Sequence, residues 1–417
     1  MSPRVLDKNK QKEEQNPNER PKGISVRSEP TSNRQPLRQF ARRAPRRCAA
    51  VAATLAVTAA LLGTTGIANA ASRTPDATRL SVDWVQLGDN NPFWTAENDG
   101  AAAAAKHFGF SFKAISGNLS ESLQSTELEQ LANEHVNAAL ITAADPAAMT
   151  TAFSYAKSHG LPVVSLYSAD SMAAMSSGFA EEVVGHTMAV YSANLLKERY
   201  GSVKGTVAVL GLELGQTLET YRIGGFVKTM ESYPGVKVVS VQPTNSQAST
   251  AQSLMQDWLT KYPNLSLVYG GSDTVTVPAI TIAQRSNRVC NVTTESWKSN
   301  SNCIIFTSVD GDPIGITAIA AGTLAGTDLY APYWAGYQFA EMGYSLAAHK
   351  YAPHTIVLQA LPVTKTNVAC INKMQTAMAD NTMTFNFNGT LAQIAQRYGC
   401  PTVTIAGGPA VPNPLAF

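Results

Sequence analysis

The sequence predicts an α/β protein in which two arrays of alternating parallel strands and helices stand side by side. Residues 80–109, LSVDWVQLGDNNPFWTAENDGAAAAAKHFG, read as a strand, a polar turn and a helix. Units of that kind repeat to residue 166, and a second run of them begins near Glu182 and continues to residue 322. The chain has 417 residues, 44% hydrophobic and 15% charged, enough for two domains with substantial cores.

The opening unit organises the rest. Residues 80–87 alternate apolar and polar side chains as a strand does, and Asn91 is placed to cap a helix whose first turn accepts Pro92. Phe93, Trp94 and an alanine-rich run follow, and Gly109 supplies the stop. A turn between such a strand and helix sits at the carboxyl edge of the sheet, where open α/β proteins bind ligands.

Along the chain, residues 110–115 predict a second strand and residues 119–135 an amphipathic helix bearing Leu123, Leu128 and Leu131. Residues 138–142 form a buried strand, residues 145–159 a helix and residues 162–166 a strand. In the second run, helices are expected over residues 185–199, 217–231 and 248–261, and strands over 205–210, 236–241 and 267–269. Residues 286–303 read as a polar surface loop. Residues 408–417 read as a tail.

The overall charge of +2 conceals a division. Residues 1–47 carry 13 Lys or Arg against 5 Asp or Glu and are expected to be disordered; the remainder has 19 basic and 25 acidic residues, net −6. That balance, with no basic aromatic patch, leaves no footprint for nucleic acid. Residues 48–70 are uncharged, follow Arg42, Arg43, Arg46 and Arg47, and end in Ala68-Asn69-Ala70. Together they read as an export signal cleaved after Ala70, with an uncleaved anchor as the alternative. Four cysteines remain, Cys290, Cys303, Cys370 and Cys400. An even number in an exported chain suggests two disulfides, for which proximity favours 290 with 303 and 370 with 400, although three pairings are open. Zinc spacing is absent, and no metal or cofactor is expected.

The Asn-Pro-Phe-Trp opening, the run AALITAADPAAMTTAFSYAKSHGLPVVSLYSAD, the Arg-x-x-Gly-Phe at Arg222 to Phe226 and the Val-Asp-Gly ending at Gly311 are the chain's most specific features. In these it resembles the periplasmic sugar-binding proteins of the ribose-binding type, over roughly residues 79–345. The resemblance implies two Rossmann-like lobes joined by a multi-stranded hinge, the type I periplasmic binding protein architecture. It also implies three crossings between lobes, placed near Glu181, Tyr330 and His354. The first lobe would then comprise residues 79–181 and 331–354, and the second 182–330 and 355–407. The extra length after residue 360 departs from the family pattern.

Carried over position by position, the resemblance puts Asn91, Phe93, Trp94 and Asp310 on the family's ligand contacts. Arg222 and Asp273 match motif positions that serve equally as structural anchors. Elsewhere the pattern breaks: Thr142, Tyr167, Ser168, Thr220, Ser272 and Tyr330 stand where the family carries Asn, Asp, Arg or Gln contacts. These exchanges remove charge and add phenol rings, so a small neutral ligand with an apolar face is expected, sugar-like or aromatic-bearing.

Catalytic signatures are missing: there is no Gly-x-Ser-x-Gly, His-Glu-x-x-His, phosphate loop or dinucleotide fingerprint, and no histidine has a placeable catalytic partner. The expectation is therefore a monomeric, exported, non-enzymatic binder serving the permease and ATPase of an ABC importer. A sensory ectodomain and an extracellular hydrolase are the alternatives, the latter requiring two carboxylates at glycosidase separation in the cleft.

Overall fold

The computed structural model describes residues 79–409 apart from 90, 169, 215–217, 351–353 and 381–388. The leader, the export signal with its alternative anchor and most of the tail lie outside the described residues. Strand β1 (Ser81–Gln86) runs into helix α1 (Pro92–Phe108), then β2 (Ser111–Ser116), α2 (Glu121–Asn133), β3 (Ala138–Thr142), α3 (Thr150–Ser158), β4 (Val163–Leu166) and β5 (Met175–Phe179). The expected helix over 145–159 starts late because Asp145 accepts hydrogen bonds from the amides of Ala147 and Ala148 and holds a turn there.

Helix α4 (Glu181–Tyr200) then leads into β6 (Lys204–Gly211), a π-helical turn (Glu219–Ile223), α5 (Gly224–Glu231), β7 (Gly235–Pro243), α6 (Ala248–Lys261), β8 (Leu265–Gly270) and α7 (Asp273–Arg285). After these come β9 (Ile305–Asp310), α8 (Pro313–Ala320), β10 (Gly326–Leu329), α9 (Pro332–Ala347), β11 (Thr355–Leu358), β12 (Leu361–Thr364), α10 (Val368–Ala379) and α11 (Leu391–Arg397).

Among the described residues the strands form two six-stranded sheets, ordered β11-β5-β4-β3-β1-β2 and β12-β10-β9-β8-β6-β7. Every neighbouring pair is parallel except β10 with β12. In each sheet the order reverses beside the first strand of its array, so the ends of β1 and β6 open onto crevices suited to a ligand. The chain passes from the first sheet to the second after Phe179 and returns after Leu329. Its third passage falls between Leu358 and Leu361, later than His354. Thr355–Leu358 pairs with β5 and so belongs to the first sheet, not to the second lobe.

Two helices of the first lobe meet at backbone contact. An added Cβ on Gly336 of α9 would lie 1.9 Å from the Glu97 carbonyl oxygen of α1, and one on Gly100 equally close to the Tyr333 carbonyl. Neither helix can yield without disturbing the sheet beneath. Gly336→Ala is expected to cost about 1–3 kcal/mol of stability, read as a lower urea midpoint with an unchanged slope.

The cysteines pair as 290 with 303 and 370 with 400. The first closes residues 290–303, but the expected loop over 286–303 is only partly on the surface: Trp297 is buried, and Arg199 donates to the Cys303 and Asn300 carbonyls.

Candidate ligand cleft between the lobes

Asn91 caps α1 as its sequence position demands: its Oδ1 accepts from the Phe93 amide at 2.8 Å. The cap fixes the start of the helix and turns Phe93 and Trp94 into a cavity of about 380 Å³ between the two sheets' carboxyl edges. From the first lobe, Asn91, Phe93, Trp94 and Tyr167 line it, with Leu87 and Leu119 beside them. The rings stand edge to face, Phe93 against Trp94 at 5.0 Å and Trp94 against Tyr167 at 6.3 Å. They offer an apolar wall of fixed shape.

The second lobe contributes Arg222, Ser272 and Asp310, together with Glu213, Gln247 and Ile314. Arg222 is the organising charge. Its Nε and Nη2 donate to the two oxygens of Glu181 at 2.7 and 3.3 Å, and Nη1 donates to Asp310 at 3.1 Å and to the Gly271 carbonyl at 2.6 Å. Asp310, one of the expected ligand contacts, lines the cavity but is ion-paired to Arg222 and only 6% exposed. Burial raises its pKa, against the opposing pull of Arg222.

Backbone conformation marks the same places. Tyr167 has φ 59° and Asp310 φ 105°, and Ala331, at the second crossing, φ 47°. Non-glycine residues hold such angles only where the surroundings over-determine them. Gly178 makes room for one: a Cβ there would meet the Tyr167 backbone at 2.9 Å.

The remaining expected contacts lie elsewhere. Thr142 sits under the sheet, accepting from Trp84 Nε1 at 3.1 Å, and Ser168 pairs with Ser165 at 2.9 Å. Thr220 is exposed on the π-helical turn. Asp273 ties the start of α7 to the turn before α8 and to β10, accepting from the Asp312 amide and from Thr327 Oγ1. Tyr330 is wholly buried behind the cavity. Its ring stacks on Phe179 at 3.7 Å, its hydroxyl donates to Glu181 at 2.7 Å, and the Arg222 guanidinium lies 4.9 Å over its face. The aromatic ring places it with the hinge crossings, beside Phe179 at the end of β5 and Ala331 between β10 and α9.

Three groups escaped the sequence reading. Glu181 supports Arg222, and Glu97 is fully buried one turn beyond Trp94, accepting from Tyr167 Oη and from Gln86 Nε2. A carboxylate on an ordinary-looking helix gives no sign of facing inward, although Glu97 follows Trp94 at a spacing of three, which places both on one face. Glu213 follows β6 in a turn that no motif singles out.

Burial raises the carboxyls of Glu97 and Asp273 to about 8 and that of Asp328 to about 7. In the unfolded chain these groups ionise near their ordinary values of 4.5 and 3.8. Between roughly pH 4 and 8 the folded form therefore binds more protons, and stability falls as pH rises through that window. The urea midpoint is expected to be lower at pH 8.5 than at pH 5.5; a midpoint that rises over the range contradicts the burial of these carboxyls.

Residues 84–350 match the family model described as a periplasmic binding protein domain. The chain belongs to that family. Among curated relatives, this chain is 23% identical to the xylitol-binding protein of Mycolicibacterium smegmatis over 246 residues, 59% of this chain and 66% of that protein. It is also 23% identical to the ribose import binding protein of Escherichia coli over 270 residues, 64% of this chain and 85% of the other. A solved ABC transporter solute binding protein from Bacillus halodurans, with bound myo-inositol, superposes with a TM-score of 0.63 at 18% identity, covering 72% of this chain and 99% of that one. The last likeness bears on the fold, two lobes of α/β construction.

Proposed function

We propose that this protein is an extracytoplasmic solute-binding protein that encloses a small sugar or sugar-like molecule between its lobes and delivers it to the permease and ATPase of an ABC importer. One observation carries the reading: an aromatic wall from the first lobe faces the Arg222–Asp310 pair of the second across a cavity of about 380 Å³. A sugar presents flat C–H faces and a rim of hydroxyls, and needs such a wall with a few fixed polar groups opposite. Lobe closure removes the ligand from water, and the ligand in turn favours the closed form.

The names of the relatives support the substrate class, since those proteins bind xylitol and ribose. The basic, apolar and small-residue pattern of residues 42–70 supports export. The protein is read as a monomer acting without cofactor or catalysis.

A thermal-shift screen against pentoses, hexoses, polyols and aromatic acids tests this. A ligand at 100 times its Kd adds about 2.7 kcal/mol to stability, so a rise of several degrees with a member of the sugar or polyol set is expected. A folded protein that responds to none of them overturns the reading.

A further inference from the structure

Of the charged residues expected at the site, Arg222 and Asp310 line the cavity. The structure adds a third. Glu213 lines the same cavity, and its Oε1 is buried without a hydrogen-bond partner among the described residues, while Ser246 meets the carboxylate. A buried carboxylate oxygen left unpaired costs free energy that a ligand group can recover.

Among the described residues lining the cavity, Arg222 is the single basic one, and it is already committed. Its hydrogen bonds go to Glu181, Asp310 and the Gly271 carbonyl. One guanidinium thus faces three carboxylates, Glu181, Asp310 and Glu213, with Glu219 close behind Glu213. Carboxyl groups outnumber the guanidinium, and burial raises the pKa of Glu213, Glu219 and Asp310, so a cationic group placed among them would favour their charged forms. The opposite wall is made of the Phe93, Trp94 and Tyr167 rings, whose faces attract cations. A neutral polyol satisfies the stacking wall but gives the surplus carboxyls no cation.

Resting on the cleft reading above, we propose that Glu213 is a ligand-contacting, specificity-determining residue and that the cleft selects an amine-bearing sugar or polyol over its neutral counterpart. The ammonium group would donate to Glu213 Oε1, with the carbon skeleton against the aromatic wall.

Matched pairs test this by isothermal titration of the full exported protein: D-glucosamine against D-glucose, and N-methylglucamine against sorbitol. The amine of at least one pair is expected to bind about tenfold tighter or better at low salt, with the advantage shrinking as salt screens it. Glu213→Gln keeps the shape and hydrogen-bonding capacity of the side chain. It is expected to remove that advantage, bringing the ratio of the amine's affinity to its neutral partner's to about one. Neutral members that bind as well as or better than their amines overturn the inference and leave the cleft reading intact. A Glu213→Gln variant that weakens both members equally assigns Glu213 to positioning and also overturns it. Failure of every compound to bind the folded protein removes both readings together.

Discussion

Arg222→Ala is expected to lower folding stability by about 3–5 kcal/mol and to abolish ligand binding with it. The guanidinium is buried and ion-paired both with Glu181, which is wholly inaccessible, and with Asp310, which faces the cavity. Removing it leaves two carboxylates without their partner, a penalty added to the loss of four hydrogen bonds. Glu181 begins α4 just past the first crossing and also holds the Tyr330 hydroxyl beside the second, so the defect falls on the hinge as well as the cleft. Arg222→Lys separates charge from geometry. An ammonium group supplies the charge without the fork that grips Glu181 through two nitrogens. It is expected to fall between wild type and alanine. Chemical denaturation with an unchanged urea slope is the measurement, and a variant as stable as wild type contradicts the assignment of Arg222 as the centre of this network.

Trp94→Ala is expected to weaken the ligand found by screening at least 30-fold, about 2 kcal/mol, and so to erase its thermal shift. Trp94 lines the cavity and touches Phe93 and Tyr167 edge-on, so truncation removes the middle of the wall. Trp84 serves as the comparison. It is fully buried beneath the first sheet, packed edge-on against Phe339, and its indole N–H is bound by Thr142. Its truncation is expected to cost about 3–5 kcal/mol of stability, the larger folding defect of the two. Equal ligand response in wild type and Trp94→Ala contradicts a role for the aromatic wall.

The alternation of strand and helix was legible because apolar periodicity and capping chemistry are local. Asn91 and Pro92 announce α1, and the observed cap is the one those residue types predict. The disulfide pairs followed proximity. The first-lobe wall was legible for the same reason, since Phe93 and Trp94 come directly after a strand end. What could not be read was which way a polar residue turns once the lobes are assembled. Tyr330 looked like a contact by position, yet an aromatic ring near the crossing found Phe179 and Arg222 first. Thr142 was claimed by an indole 58 residues earlier in the chain. Glu97, Glu181 and Glu213 carry no local signature, because their burial depends on partners distant in sequence. Asp310 was placed correctly at the end of its strand, but its ion pair with Arg222 joins residues 88 apart and leaves no trace in spacing.

A crystal structure with the best sugar or polyol from the screen tests the central claim most directly. The account predicts density for that ligand within the cavity of about 380 Å³, its apolar face against Trp94 and a polar group within hydrogen-bond distance of Asp310. Density on the outer surface of either lobe, with that cavity holding only water, would contradict it.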